Sequence, residues 1–326
     1  MRLSVLGGGS WGTALAAHAV GAGHELRMWV RSPDVAAALN DRRENPAYLP
    51  GVELPAGLRA TTRLAEAVSD AEAAIVAVPS EYCRELYRQA QEHLPNGSLL
   101  VSATKGLETD TQRRMSEVAA SEAPGHPLAV LSGPSFALEV AKALPTAVVV
   151  ASDDHAVAES VQRALATRAF RVYSSEDVIG VELAGAVKNV IAIAAGIVDG
   201  LGYGHNTVAA LVTRGLAEIS RLAVALGGRP DTLAGLAGLG DLVLTCTGSL
   251  SRNRTVGQRL GRGESLQQAC AGLHPEGVRT TLAAVALAER HGIDLPIARQ
   301  MGAVLHAGKP PREALEELML RSLKRE

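Results

Sequence analysis

The sequence predicts an α/β domain followed by an all-α domain, and three observations lead to this prediction. Short apolar runs alternate with helical segments over residues 1–178, which is typical of βαβ units in a mostly parallel, doubly wound sheet. Over residues 179–326 apolar residues recur at spacings of three and four, which predicts helices alone. A chain of 326 residues with 47% hydrophobic content is long enough for two such domains.

The strands of the first domain are predicted from short apolar runs that end at glycine, proline or polar residues. These runs are Leu3–Leu6, Glu25–Val30, Ala73–Val78, Ser98–Ser102, Leu128–Leu131 and Ala147–Val150. Helices are predicted at Ser10–Val20, Thr207–Leu226, Thr280–Arg290 and Pro311–Leu323. We expect Asn206 or Thr207 to cap the second of these helices and the glycines at 227 and 228 to end it.

Charge and cysteine usage exclude several classes of protein. The formal net charge of −2 gives no electrostatic case for binding nucleic acid or an anionic membrane. Cys83, Cys246 and Cys270 are far apart in the chain, which favours reduced thiols and a cytoplasmic location. The longest apolar run, residues 183–198, is short for a membrane span, and no His/Cys/Asp cluster has the spacing of a metal site.

The segment Gly7-Gly8-Gly9-Ser10-Trp11-Gly12 fits the pattern G-x-G-x-x-G. It follows a predicted strand and opens a predicted helix, which is the context that a dinucleotide-binding, or Rossmann, domain requires. Gly7 allows the tight turn, Gly9 lets the backbone approach a pyrophosphate, and Gly12 lets the helix pack closely on the strand. An ordinary glycine-rich turn is the alternative interpretation.

The end of the second strand bears on which nicotinamide cofactor is used. An acid that binds the ribose 2′-hydroxyl is expected about 20 residues after the glycine loop. The chain has Trp29-Val30-Arg31-Ser32 there, without an acid. Arg31 can pair with a 2′-phosphate, so we expect NADP to be accepted as well as NAD. A solvated surface charge is the alternative for Arg31.

Several longer motifs place polar residues inside apolar stretches. They read SATKG from Ser102, SGPSFA from Ser132, ELAGAVKN from Glu182, GDL from Gly240 and SRNR from Ser251. Further pieces are GSWGTALA from Gly9, NPAYLPG from Asn45, VPS from Val78, KNVIAIAAGIVDGLG from Lys188 and TRGL from Thr213. Together they resemble the bacterial-type NAD(P)-dependent glycerol-3-phosphate dehydrogenases over nearly the whole chain.

The resemblance implies an activity and its partners. It implies hydride transfer between NAD(P)H and C2 of dihydroxyacetone phosphate, giving sn-glycerol 3-phosphate for phospholipid synthesis, and it implies a homodimer. Two alternatives are a two-domain 3-hydroxyacid or sugar-acid dehydrogenase and a non-catalytic NAD(P)-binding sensor. The first would need to recognise a carboxylate, and the second would not need a buried acid/base group.

The resemblance also assigns roles to residues. Lys188 is implied to be the acid/base residue, and the substrate contacts are implied to be Lys105, Gly133, Ser135, Asp241, Ser251, Arg252 and Asn253. Cofactor contacts are implied at Ser10, Trp11, Lys105, Ala137, Arg252, His274 and Glu276, beside the glycine loop and Arg31.

Physical chemistry supports these roles but leaves alternatives. Lys188 lies among Ala, Val and Ile, where a lysine is costly to desolvate unless it is paired; it can instead lie at a helix edge with its amine in water. Asp241 can orient Lys188 or cap a helix, and Thr245, one turn later, can face the same site. Arg252 suits a phosphate, although a solvated basic loop is possible.

Other features set limits on the site. Gly133 and Ser135 can form an anion-binding segment if a helix begins near Pro134, or a simple capped helix. His205 and His306 are expected to be structural or surface residues. Departures from the family pattern are His274-Pro275 before Glu276, Glu81 after Ser80, and Ala143 where glycine is frequent.

Overall fold

The computed structural model describes residues 1–322 and divides into two compact units. The first unit consists of Met1–Lys105 and Arg113–Glu182, and the second consists of Gly106–Gln112 and the chain from Leu183 onward. The boundary predicted between residues 178 and 179 falls at the first residue of a helix, Val178–Gly200. That the chain forms two independent domains divided at this boundary stays a prediction.

The first unit is built on one eight-stranded sheet with the strand order β3-β2-β1-β4-β5-β6-β7-β8. Every neighbouring pair is parallel except β6 and β7, which are antiparallel. The strands are β1 Arg2–Leu6, β2 Glu25–Trp29, β3 Leu58–Thr61, β4 Ala73–Val76, β5 Leu99–Ser102, β6 Leu128–Ser132, β7 Thr146–Ala151 and β8 Phe170–Ser175. The predicted mostly parallel α/β fold is confirmed.

Helices cover both faces of this sheet because successive strand residues point to opposite sides. Ile75 and Val101 belong to one core cluster, whereas Val76 and Leu100 belong to a second. The helices are α1 Ser10–Gly21, α2 Pro33–Ala37, α3 Leu64–Val68, α4 Cys83–Gln91, α5 Met115–Glu122, α6 Ala137–Ala141 and α7 His155–Leu165. A π-helical turn, Ala38–Arg42, follows α2, and a 3₁₀ turn, Ser80–Tyr82, precedes α4.

Sequence patterns did not reveal the two outermost strands. Both β3 and β8 lie at the edges of the sheet, so each has only one neighbouring strand. In β8, Phe170 and Val172 are buried while Arg171 and Tyr173 are exposed, a half-buried alternation that lacks the continuous apolar run of an inner parallel strand. A search for period-two alternation would have found it.

The second unit contains helices and turns in its described residues, which confirms the predicted all-α region. Its helices are the later part of α8 (Val178–Gly200), α9 His205–Ala225, α10 Pro230–Ala234, α11 Asp241–Thr247, α12 Arg252–Gly261, α13 Leu266–Cys270, α14 Glu276–Arg290, α15 Pro296–His306 and α16 Pro311–Met319. By length and composition α8 is able to cross a membrane, but 94% of its most apolar window is buried in the protein. That burial is the property of a core helix.

Three predicted helix ends differ from the structure. Helix α9 begins at His205 after Gly204, and no side chain caps it, so the predicted cap at Asn206 or Thr207 is wrong. Helix α14 begins at Glu276, four residues before the predicted start at Thr280. Helix α16 ends at Met319, and its predicted end at Leu323 lies outside the described residues.

Candidate functional site

The glycine loop at the end of β1 has the geometry that a dinucleotide site requires. Gly7 has φ +131°, and a Cβ there would lie 2.5 Å from the carbonyl oxygen of Ala77. A Cβ on Gly12 would collide with the carbonyl oxygen of Gly7, whereas a Cβ on Gly9 would meet no atom within 4 Å. The loop therefore packs tightly on one side and is open on the other, at the N-terminus of α1, where unpaired N–H groups favour phosphate.

A buried asparagine forms hydrogen bonds with the glycine loop and with α1, and sequence reasoning did not predict this role. The Asn45 amide is fully buried and donates to the carbonyl oxygen of Gly8 at 2.9 Å and to Oγ1 of Thr13 at 2.8 Å. The predicted cofactor contact Ser10 donates to the carbonyl oxygen of Tyr48 at 2.5 Å. The NPAYLPG motif that contains Asn45 and Tyr48 thus fixes the shape of the glycine loop.

Arg31 and Trp11 are two further predicted cofactor residues of the first unit. Arg31 is exposed two residues after β2, and β2 neighbours β1 in the sheet. The Trp11 indole packs on the core, and its buried N–H has no hydrogen-bond partner among the described residues. An open loop, a cation beside the second strand and an unpaired buried donor fit NAD(P).

Lys105, Gly133 and Ser135 form a second cluster at the same edge of the sheet. Lys105 follows β5 and donates from Nζ to the carbonyl oxygen of Gly133 at 2.8 Å. Ser135 donates to the same oxygen at 2.9 Å. Since β5 and β6 are parallel neighbours, the residues after them meet at the carboxyl edge, where such sheets bind ligands.

The expected helix start near Pro134 is wrong. Helix α6 begins at Ala137 after Phe136, so Gly133 to Phe136 is a loop whose shape depends on the shared carbonyl oxygen of Gly133. Gly133 itself has φ +136°. The predicted cofactor contact Ala137 is the first residue of the short helix.

In the second unit, a lysine is buried together with an acid and a hydroxyl. Lys188 on α8 is 5% exposed, Asp241 is 1% exposed and Thr245 is 6% exposed. Lys188 Nζ donates to Asp241 Oδ1 and, at 2.9 Å, to Thr245 Oγ1. Thr245 donates in turn to the Asp241 carbonyl oxygen at 2.6 Å. Removing one partner of such a buried pair would leave an uncompensated charge, which is strongly destabilising.

Asp241 begins α11 directly after a π-helical turn, Leu236–Gly240, and such turns occur often at functional sites. No side chain caps α11, so Asp241 is not a cap. Burial raises the pKa of Cys246 to about 12, which keeps this neighbouring thiol neutral.

Asn253, a predicted substrate contact, has both ends of its amide engaged within the protein. Its Nδ2 donates to Oδ1 of Asn189 at 3.0 Å, and its Oδ1 accepts from the backbone N–H of Gly277 at 3.0 Å. Asn189 follows Lys188 on α8. Asn253 therefore joins the N-terminal turns of α12 and α14 to the helix that carries the lysine.

The two arginines beside Asn253 have different surroundings. Arg254 donates to Asp199 Oδ2 at 2.9 Å, near the end of α8, while Ser251 caps α12 by accepting from the Arg254 N–H at 3.2 Å. Arg252 is exposed at the first position of α12. Partial desolvation lowers the pKa of Arg252, and the Glu276 carboxylate opposes this shift. Because the ordinary pKa of arginine lies far above 7, the guanidinium at this helix N-terminus is charged at neutral pH.

Glycines set the distance between α8 and α12. A Cβ on Gly196 would collide with the carbonyl oxygen of Arg254, and a Cβ on Gly257 would collide with that of Ile193. One turn later, a Cβ on Gly200 or Gly261 would also lie too close to a backbone carbonyl oxygen of the other helix. The two helix backbones thus touch directly, which fixes where α12 begins relative to Lys188.

The last predicted cofactor contacts lie at the start of α14. Glu276 is its first residue and is partly buried, while His274 is exposed just before it. His205 is exposed, and His306 bonds the carbonyl oxygen of Val278 at 2.9 Å, so neither histidine lies with the lysine cluster.

Glu182, the first residue of the ELAGAVKN motif, stabilises the first unit. It accepts from the Ser116 backbone N–H at 2.8 Å and from Arg114 Nη1 at 2.8 Å. Burial raises the pKa of this carboxyl group, and the Arg114 charge opposes the shift. Glu182 thereby fastens the start of α5 to the first turns of α8.

Comparisons with known proteins agree along the whole chain. Residues 2–158 match the NAD-dependent glycerol-3-phosphate dehydrogenase N-terminus model, and residues 177–316 match the corresponding C-terminus model. A glycerol-3-phosphate dehydrogenase [NAD(P)+] of Nitratidesulfovibrio vulgaris is 52% identical, with 100% of both chains covered. One from Koribacter versatilis is 51% identical over 98% of this chain and 97% of its own.

A solved structure gives the same result. The glycerol-3-phosphate dehydrogenase of Coxiella burnetii superposes with a TM-score of 0.95 at 41% identity, covering 98% of this chain and 99% of that one. With both family models and full-length relatives in agreement, the chain belongs to the NAD-dependent glycerol-3-phosphate dehydrogenase family.

Proposed function

We propose that this protein reduces dihydroxyacetone phosphate to sn-glycerol 3-phosphate with NAD(P)H, reversibly, in the cytoplasm as a homodimer that supplies phospholipid synthesis. The observation that carries the proposal is the buried Lys188–Asp241–Thr245 cluster, joined through Asn189 and Asn253 to the start of α12. A proton donor on α8 is thereby linked by hydrogen bonds to the N-terminus of α12, which can bind an anion. The named activity of the full-length relatives supports the same function.

The first unit's residues hold the cofactor. The open side of the glycine loop and the N-terminus of α1 would hold the pyrophosphate, and Arg31 would bind at the adenosine ribose. When bound, the nicotinamide supplies the hydride that adds to C2 of the ketone. We propose that Lys105, Gly133, Ser135 and Ala137 contribute from the ends of β5 and β6.

Lys188 provides the proton. As hydride reaches C2, the carbonyl oxygen gains negative charge, which a neighbouring ammonium stabilises and then protonates. Asp241 and Thr245 both accept hydrogen bonds from the Lys188 amine and so fix the direction of its N–H groups. In the reverse direction the neutral amine takes the hydroxyl proton.

Arg252 and the first N–H groups of α12 bind the phosphate. A guanidinium forms paired hydrogen bonds with phosphate oxygens, and the helix N-terminus adds unpaired donors. Arg254 is paired with Asp199, so we assign the phosphate to Arg252. Because the Asn253 amide is engaged at both ends, we propose that it contributes by holding α12 in place.

A substrate series tests this function. NADPH oxidation is followed with dihydroxyacetone phosphate, with unphosphorylated dihydroxyacetone and with a 3-oxo acid as the control for a hydroxyacid dehydrogenase. We expect turnover with the first compound alone and sn-glycerol 3-phosphate as the product. Turnover that does not depend on the phosphate, or that favours the oxo acid, would rule the proposal out.

A further inference from the structure

An exposed tyrosine stands beside Arg31 in the first unit. The Arg31 Cζ lies 5.6 Å from the centroid of the Tyr82 ring, within the range of a cation–π contact. Tyr82 is 46% exposed, so the ring is not a core residue. Arg31 forms no ion pair in the part of the chain that the structure describes. Its guanidinium contacts the Tyr82 ring instead.

The topology places this pair at the glycine loop. In the sheet, β2 and β4 are the two neighbours of β1. Arg31 follows the end of β2, and Tyr82 follows the end of β4 through the 3₁₀ turn. Since all three strands are parallel, the pair lies at the same sheet edge as the glycine loop, where the ribose of a dinucleotide approaches the end of the second strand.

The backbone under Tyr82 is held firmly. The Tyr82 N–H donates to the Pro79 carbonyl oxygen at 3.0 Å, and Thr104 donates to the Val78 carbonyl oxygen at 2.8 Å. The next residue, Cys83, is fully buried. The backbone that carries the Tyr82 ring is therefore fixed by hydrogen bonds, whereas the Arg31 side chain is exposed.

We infer that Tyr82 is a specificity-determining residue that orients the Arg31 guanidinium for the 2′-phosphate of NADP(H). This inference rests on the proposed use of a nicotinamide cofactor. A long arginine side chain loses rotamer freedom when it binds phosphate, and a ring that already restrains it reduces that loss. NAD(H) has a neutral 2′-hydroxyl in place of the charged 2′-phosphate, so the restrained guanidinium favours NADP(H) selectively.

The test measures the Kd of NADPH and of NADH for the full-length protein by nicotinamide fluorescence. The two cofactors differ only in the 2′-phosphate. We expect Tyr82→Ala to weaken NADPH binding about three- to fivefold and to leave NADH binding unchanged. Tyr82→Phe keeps the ring and should behave like the wild type. Arg31→Ala should weaken NADPH binding by about tenfold or more, and adding Tyr82→Ala to it should have no further effect.

Two outcomes would overturn the inference. Equal weakening of both cofactors by Tyr82→Ala would mean that the ring contacts the adenine directly, and an undiminished effect in the Arg31→Ala background would mean that it acts independently of Arg31. Failure of the wild type to bind either cofactor is a different result, because it would remove the proposed function itself. Thermal unfolding of each variant checks that the fold is intact.

Discussion

Two buried ionisable side chains, Lys188 and Glu218, form hydrogen bonds with other residues of the protein. Lys188 is matched by Asp241 and Thr245. Glu218 on α9 is 2% exposed and accepts from the N–H groups of Ile297 at 2.7 Å and Ala298 at 3.2 Å. Glu218 therefore satisfies the unpaired donors at the start of α15 from a neighbouring helix.

The titration of Glu218 predicts how stability depends on pH. Burial raises the pKa of Glu218 to about 7, against the opposing hydrogen bonds from Ile297 and Ala298. Folding thus favours the protonated form, so its contribution is present below the ordinary carboxyl pKa and is lost as pH rises through about 7. Relative to Glu218→Gln, the wild type should lose about 2–3 kcal/mol between pH values of about 5 and 8.

Urea unfolding of both proteins at the two pH values measures this difference, because other titrating groups cancel in the comparison. Glu264→Gln, a change at an exposed residue, is the control and should show no such divergence. A wild type that gains stability over Glu218→Gln with rising pH would contradict the account, since the two N–H groups would then outweigh the cost of burial.

Ala143 shows why one departure from the family pattern matters. It has φ +53° in the turn between α6 and β7, a left-handed conformation that costs an L-residue roughly 1–2 kcal/mol. Replacing it with glycine removes that strain but adds freedom to the unfolded chain, at about 0.4–1 kcal/mol. We expect Ala143→Gly to stabilise the protein by about 0.5–1 kcal/mol.

Thermal unfolding checks this expectation, with Ala210→Gly in the exposed interior of α9 as the matched control. The control should destabilise by about 1 kcal/mol, since glycine is a poor helix former. Equal destabilisation by both changes would show that Ala143 is not strained.

At the level of elements, the contact between α8 and α12 decides the geometry of the second unit. Gly196→Ala or Gly257→Ala places a methyl group against a backbone carbonyl oxygen of the other helix, which should cost about 1–3 kcal/mol. Both changes should also lower kcat/KM, because α12 carries Arg252. Gly21→Ala is the control: it lies in α1, and a Cβ there meets no atom within 4 Å.

Unfolding free energies and steady-state kinetics of the three variants report on this contact. The control should be neutral or slightly stabilising, because alanine is the better helix former. Wild-type stability and activity in Gly196→Ala would show that the helices can separate without consequence, contrary to the positioning role given to their contact.

The inner strands were predictable because they are buried on both faces, and the helices of the second unit were predictable from their apolar spacing. The edge strands β3 and β8 lack such continuous apolar runs, and the start of α9 lacks a capping side chain. The place of β8 depends on pairing with β7, whereas α9 begins after Gly204 without a side-chain cap.

For the whole molecule, local motifs indicate individual candidate residues better than they indicate the connections between them. The motif around Lys188 indicates a buried amine, and the pairing with Asp241 follows from the cost of burying charge. The support of the glycine loop by Asn45 and the link from Asn189 through Asn253 to Gly277 join residues distant in the chain. Local patterns contain no information about such contacts.

The central claim is that Lys188 and Arg252 divide the proton and the phosphate between them, and steady-state kinetics with dihydroxyacetone phosphate test it most directly. Lys188→Ala should lower kcat by about 10²–10⁴-fold with little change in KM. Arg252→Ala should raise KM by about 10–100-fold with a smaller effect on kcat, while Arg254→Ala stays close to the wild type. A Lys188→Ala variant with wild-type kcat, or an Arg252→Ala variant with unchanged KM, would contradict it.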